Sequence, residues 1–149
     1  NRLMDLFNDL YQQLIIDHNK NPRNYHPLEN CTHRANGHNP LCGDEISIEF
    51  VEEEGIIKQI AFQGSGCAIS IASSSLMTTS LEKKKIENAI TIYEAFINLA
   101  KTGKTNRELG KLSVLAGVYK YPSRVKCATL AWHTFNGAVK QTIEKIKTE

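Results

Sequence analysis

From Glu45 onward the chain changes its hydrophobic period to two, and that change limits the folds open to it. Ile46, Ile48 and Phe50 alternate with Glu45, Ser47 and Glu49, the pattern of a strand with one buried face. The polar run Glu52-Glu53-Glu54-Gly55 supplies a turn, and Ile56 to Phe62 reads as the returning strand of a hairpin. Gly64-Ser65-Gly66 predicts a second tight turn, with Cys67 to Ile71 as a third short strand. These turns are too short for crossover connections, so the sheet is expected to be antiparallel.

Helical spacing brackets the sheet. Leu3, Leu6, Phe7, Leu10 and Leu14 fall on one stripe, with Tyr11 beside it, and Asn21-Pro22 ends that helix. After the sheet, the small residues Ala72, Ser73, Ser74 and Ser75 lead into a helix over Leu76 to Leu81, and Ile86 to Ala100 predicts another. A short helix is expected over Asn106 to Leu115, broken by Gly117. Tyr121-Pro122-Ser123 precedes a long amphipathic helix from Arg124 to Lys147, with Cys127, Leu130, Ala131, Phe135, Ala138, Thr142 and Ile146 on or near one face. Residues 19–44 are rich in Asn, Pro, His and Gly and show no period; such a segment in a small domain is functional or mobile. The expected architecture is α+β, a three-stranded antiparallel sheet packed against a bundle of about five helices. At 149 residues it is expected to form a single domain over 1–149.

Charge and hydropathy remove several function classes. The formal charge of +2 is too small to favour nucleic acid, which needs a concentrated basic patch, and Lys83-Lys84-Lys85 reads as a solvent-facing turn. No apolar run approaches the roughly 18 residues that span a bilayer, so no membrane role is expected. Asp5 and Asp9 inside the first helical pattern do not fit a signal or transit peptide. Four cysteines at 31, 42, 67 and 127 are too sparse for a disulfide-stapled secreted scaffold. A cytoplasmic location is therefore expected.

The cysteines differ in setting. Cys42 and Asp44 end the irregular segment, and in extended chain residues two apart point the same way, so thiolate and carboxylate can address one centre. Gly43 between them leaves the backbone free to adjust. Cys67 follows a sharp turn. Cys127 lies near the start of the last helix, where free N–H groups and the helix dipole favour a thiolate. Three Cys and one Asp can supply the four ligands of a tetrahedral Zn²⁺. Spacing alone leaves this open, because the intervals match no compact zinc-finger pattern and an isolated Cys is commonly a small buried hydrophobe. Cys31 fits that plainer reading and is left out of the site. The Ser73-Ser74-Ser75 run reads as close packing of small residues. The five histidines read as surface or segment-fixing groups, His38 being the one close enough to Cys42 to substitute as a ligand. Arg124 and Lys126 flank Cys127 closely enough to lower a thiol pKa, or they are ordinary solvent-facing charges.

The motifs carry a resemblance. Leu10-Tyr11 with Asp17-His18-Asn19-Lys20-Asn21-Pro22-Arg23-Asn24, then Asn39-Pro40-Leu41-Cys42-Gly43-Asp44, then Phe62-Gln63-Gly64-Ser65-Gly66-Cys67-Ala68-Ile69-Ser70 with Ala72-Ser73-Ser74-Ser75, and finally Arg124-Val125-Lys126-Cys127-Ala128-Thr129-Leu130-Ala131-Trp132 resemble, in order, the signatures of the U-type iron–sulfur cluster assembly proteins. Lys126 stands where scaffold members of the IscU type carry His. The stretch from about Thr102 to Tyr121 is absent from them, and Tyr121-Pro122-Ser123-Arg124-Val125-Lys126 departs from their Leu-Pro-Pro-Val-Lys chaperone-handover stretch. These features resemble the SufU branch.

The resemblance implies Zn²⁺ held by Cys42, Asp44, Cys67 and Cys127, and a partnership with a SufS-type, pyridoxal-phosphate-dependent cysteine desulfurase upstream of other SUF assembly components. It implies a zinc-dependent sulfurtransferase in which Cys42 accepts persulfide sulfur, with Arg124 as a candidate for stabilising the freed Cys42 thiolate. Two alternatives share the residues: a scaffold assembling a [2Fe–2S] cluster on the same ligands, and a structural zinc domain used for docking. Segment 19–44 and the rim around Cys42 are the candidate docking surface.

Overall fold

The computed structural model describes the backbone of residues 2–148 and the side chains of residues 11–141. The stripe Leu3, Leu6, Phe7 and Leu10, and the positions Thr142 and Ile146, lie outside the described side chains. Helix α1 (Arg2–Lys20) is followed by strands β1 (His33–Asn39), β2 (Asp44–Glu53) and β3 (Ile56–Ser65). Helices α2 (Ala68–Leu81) and α3 (Ile86–Thr102), a 3-10 segment (Arg107–Lys120) and helix α4 (Pro122–Thr148) complete the chain. The sheet order is β1-β2-β3, antiparallel throughout. The α+β architecture with a three-stranded antiparallel sheet is therefore as expected, with four α-helices and a 3-10 segment where about five helices were predicted.

The β2–β3 hairpin forms where the alternation places it. Its two-residue turn, Glu54 (φ 54°) and Gly55 (φ 78°), has the paired positive φ angles that match the twist of the flanking strands. Glu52 accepts the Gly55 N–H at 2.8 Å. Ile46, Ile48 and Phe50 of β2, with Ile60 and Phe62 of β3, are buried on one face. Against that face lies α4, whose Phe135 sits 5.4 Å from Phe50, while its Trp132 stacks on Phe96 of α3 at 4.3 Å.

Two strand assignments differ from the sequence reading. The third strand is β1, inside the segment expected to lack regular structure, and Cys67 to Ile71 instead opens α2. Strand β1 has no large apolar residue facing inward because α4 approaches it too closely: Ala35 and Gly37 oppose Ile48 and Ile46. A Cβ on Gly37 would collide with Thr134 Oγ1 and lie 3.1 Å from Leu130 Cδ1. Helix α2 is longer than the predicted 76–81 because it is buried nearly all round, from Ser70 to Thr78 without interruption, so no one-sided stripe marks its first turns.

The later elements follow their end signals. Gly103, at φ 77°, closes α3 as a left-handed cap with its N–H on Leu99 O at 2.7 Å. Asn106 caps the next segment, accepting from Glu108 N at 2.8 Å. That segment is 3-10, and its break falls at Gly110 (φ 49°, ψ −122°) rather than at the predicted Gly117, whose N–H is occupied by Tyr11 OH of α1. Pro122 opens α4, where its missing N–H leaves no intrahelical bond unmade.

The serine run packs as the small residues suggested and also fastens the chain. Ser75 Oγ meets buried His18 Nδ1 at 2.7 Å and accepts Arg23 N at 2.8 Å. Asn24 Nδ2 donates to Thr78, and Asn24 O accepts Phe62 N at 3.0 Å, so residues 18–24 tie α1 to α2 and β3. Ser73 Oγ donates to Ala128 O and accepts Trp132 Nε1, joining α2 to α4.

The approach of α4 to Gly37 is testable. Thr134 Oγ1 cannot rotate away without losing its bond to Leu130 O at 2.8 Å. Gly37→Ala is expected to lose about 1–3 kcal/mol of stability, read as a lower urea midpoint at unchanged slope. Adding Thr134→Ala is expected to recover part of the loss. An unchanged midpoint in Gly37→Ala would contradict this packing.

Candidate metal and sulfur site

The inward stripe of β2 continues one step beyond its apolar residues. Positions 44, 46, 48 and 50 share a face by strand parity, so the parity that buries Ile46 also buries the Asp44 carboxylate, which has 0% exposure. Asn39 is its cross-strand partner, and residues 40–43 form the turn above this last rung. Gly43 takes φ +70° there, a conformation a side chain would strain. Cys42 stands exposed on that turn, next to exposed Leu41.

Three elements converge below it. Asp44 Oδ1 accepts the Cys67 N–H at 2.9 Å and Oδ2 accepts Asn39 Nδ2 at 3.2 Å. Cys127, in the second turn of α4 and 4% exposed, has its sulfur 3.3 Å from that of Cys42 and 3.9 Å from Asn39 Nδ2. Cys42, Asp44 and Cys127 each present a ligand atom within 4.8 Å of the others. Cys67 lies beside this group without belonging to it: its backbone serves Asp44, while its sulfur caps α2 by accepting Ser70 N at 3.4 Å.

The electrostatics fit a cation. Burial, followed by the adjoining Cys42, Cys67 and Asp44 groups, pushes the Cys127 thiol well above its ordinary range. Among the described residues no Lys, Arg or His lies within ion-pairing distance of Asp44. A wholly buried carboxylate between two thiols, with two hydrogen-bond donors and no cationic side chain, has the surroundings of a metal ligand. Thiolates with one carboxylate suit Zn²⁺, and thiolates suit iron–sulfur clusters.

The other candidates are placed elsewhere. Arg124 is exposed in the first turn of α4, its guanidinium 4.4 Å from the Tyr121 ring centre, lining a cavity of about 370 Å³ with Tyr11, Ile15 and Ile69. Lys126 is exposed. His38 pairs across the strands with Glu45, so by parity it faces away from Asn39 and Asp44. Cys31 donates to Glu49 at 3.4 Å and stands apart from the site. Two residues of the site carried no role in the sequence reading. Asn39 is the amide that bridges Asp44 and Cys127. Gly66 is where a Cβ would strike Asp44 Oδ1. The signal for Asn39 was its place opposite Asp44 across the Pro40–Gly43 turn, which becomes visible once β1 is recognised as a strand.

Comparison with known proteins agrees with this geometry. Residues 10–146 match the NifU-like N terminal domain family. The chain is 40% identical over 138 residues to the iron–sulfur cluster assembly scaffold protein IscU of Streptococcus pyogenes serotype M1, covering 91% of this chain and 86% of the relative. It is 39% identical over 132 residues to the zinc-dependent sulfurtransferase SufU of Bacillus subtilis strain 168, covering 87% and 89%. A solved chain from Fervidobacterium islandicum AW-1, named an iron–sulfur cluster assembly scaffold protein for the SUF system (SufU), superposes with a TM-score of 0.80 at 31% identity, covering 84% of this chain and 93% of that one. With the fold, the ordered motifs and these matches in agreement, the chain belongs to the NifU-like N-terminal domain family, the U-type proteins of iron–sulfur cluster assembly.

Proposed function

We propose that the protein is a zinc-dependent sulfurtransferase that takes persulfide sulfur from a SufS-type cysteine desulfurase onto Cys42. The observation that carries this reading is the inequality of the clustered ligands: Asp44 and Cys127 are buried, whereas Cys42 is exposed on a turn. A thiol that must meet a partner's persulfide has to be reachable, and the others have to stay fixed. Cys42, Asp44, Cys67 and Cys127 are the proposed zinc ligands, Cys67 joining through a rotation of its side chain away from Ser70. Bound zinc keeps coordinated thiols deprotonated at neutral pH.

The chain's own residues account for the transfer. The Cys42 thiolate attacks the outer sulfur of the partner's persulfide; a bond forms between the two, and the partner's cysteine leaves as a thiolate with the bond electrons. Asn39 and the Cys67 N–H keep the Asp44 carboxylate in place, while Gly43 lets the turn carry Cys42 outward. Arg124, one helical turn before Cys127, is assigned to steady the freed Cys42 thiolate by leaving its stack on Tyr121. Lys126, in place of the His of scaffold members, also favours transfer over cluster building. The names of relatives such as the Streptococcus protein favour a second reading, a scaffold for a [2Fe–2S] cluster. Anaerobic reconstitution separates the two: a scaffold would exchange zinc for a cluster and pass it to an acceptor.

Turnover with a SufS-type desulfurase and cysteine, followed by mass spectrometry, is expected to find one extra sulfur on the Cys42 peptide. Cys42→Ala is expected to abolish stimulation of the desulfurase, and full stimulation by that variant would sink the relay. Arg124→Ala is expected to retain zinc while slowing transfer about tenfold, the worth of one charge-assisted hydrogen bond; an unchanged rate would remove Arg124 from the mechanism. Gly66→Ala is expected to weaken zinc affinity about 10- to 100-fold by displacing Asp44, measured by competition with a chelator, and wild-type affinity would contradict the tight seat of that carboxylate.

A further inference from the structure

Cys42 and Cys127 are arranged to give sulfur a second fate. Their sulfurs are 3.3 Å apart, one exposed on the turn and the other buried beneath it. Of the remaining thiols, Cys67 accepts Ser70 N at the start of α2 and also adjoins Cys127, while Cys31 bonds Glu49 away from the site. An outer sulfur added on the solvent side of exposed Cys42 would stand opposite buried Cys127. That is the in-line arrangement for displacement at the inner sulfur, with the leaving atom departing into water.

We propose that in the metal-free chain Cys127 is a resolving thiol, discharging a Cys42 persulfide as hydrogen sulfide and leaving a Cys42–Cys127 disulfide. The inference rests on the reading of Cys42 as sulfur acceptor and adds an activity to it. The Cys127 sulfur attacks the Cys42 sulfur; the new bond joins the two cysteines, and the bond from Cys42 to its outer sulfur breaks. The electron pair of the broken bond leaves on the outer sulfur, which is reduced to sulfide and takes the proton of the Cys127 thiol. Both cysteine sulfurs end as disulfide, so no external oxidant enters, and a small-molecule thiol reductant restores the pair. Closing from 3.3 Å to a bond of about 2.05 Å falls on the 40–43 turn, where Gly43 supplies the backbone freedom. The two sulfurs already stand in contact, and held reactants gain effective concentrations far above those in solution.

Metal occupancy then decides the outcome. With Cys127 engaged as a ligand the sulfur on Cys42 stays available for relay, and without metal it is released. The disulfide also withdraws two ligands, so a discharged chain cannot take up zinc until it is reduced.

The test uses the full chain, stripped of metal, reduced and kept anaerobic. It is loaded with one equivalent of cysteine persulfide and desalted, so no desulfurase is involved. Trypsin separates the cysteines, with Cys42 on 35–58, Cys67 on 59–83 and Cys127 on 127–140. The expected result is about one hydrogen sulfide per loaded chain and a disulfide joining 35–58 to 127–140. Cys127→Ser is expected to keep its persulfide on Cys42 and release at least tenfold less sulfide, Cys31→Ser to behave as wild type, and prior zinc loading to suppress release. Persulfide persisting on wild-type Cys42, outer sulfur appearing on Cys127, no loading of Cys42, or a disulfide to another cysteine would each overturn the proposal. Should Cys127→Ser fail to fold, as read by circular dichroism, the wild-type peptide map decides alone. Chemical loading that discharges normally, beside a desulfurase that never loads Cys42, would strike the relay reading and leave this one standing.

Discussion

The Asp44 carboxylate is wholly withdrawn from water, and a carboxylate in that position must be bonded on all sides or matched by a cation. Its two oxygens take the Cys67 N–H and the Asn39 amide, so it pins the start of α2 and the end of β1 to the first residue of β2. Gly66 exists as glycine in this setting because the carboxylate occupies the space of its Cβ. The 40–43 turn is built across the Asn39–Asp44 rung, and α4 brings Cys127 against the underside of that turn. The site is thus the polar end of the same inward face that carries the apolar core.

That continuity explains what could be read from the residues. Strands β2 and β3 were legible because their inward positions are filled by Ile and Phe, which alternate visibly. Strand β1 was hidden because its inward positions are His33, Ala35, Gly37 and Asn39, with α4 leaving room in the middle only for the two small residues, and such a strand has no hydrophobic period. The beginning of α2 was hidden for the opposite reason, since a helix buried on every side shows no stripe. Cys42 comes near Asp44 by a different route from the expected strand parity, since residues 40–43 form a turn with Gly43 at φ 70°. Cys127 joins them from 85 residues away, through the seating of a helix on a sheet, and spacing carries no trace of such a contact. The family resemblance supplied what spacing could not, while Asn39 and Gly66 emerged from the geometry.

Within the cluster, position assigns work. Asp44 and Cys127 are enclosed and held by neighbours from other elements; Cys67 is tied to its helix; Cys42 alone stands on a short turn facing solvent. This gradient suits a site in which one ligand leaves and returns while the others define where it returns to. For the proposed relay it also sets a hazard, since the exposed thiol rests against a buried one.

The central claim is that Cys42, Asp44, Cys67 and Cys127 converge on one zinc. X-ray absorption at the zinc edge of the isolated protein measures this directly. The account predicts three sulfur neighbours at about 2.3 Å and one oxygen neighbour at about 2.0–2.2 Å, with one sulfur lost in Cys42→Ala and one in Cys67→Ala. Two sulfurs or fewer in the wild-type protein, or a sulfur count unchanged in Cys67→Ala, would contradict it.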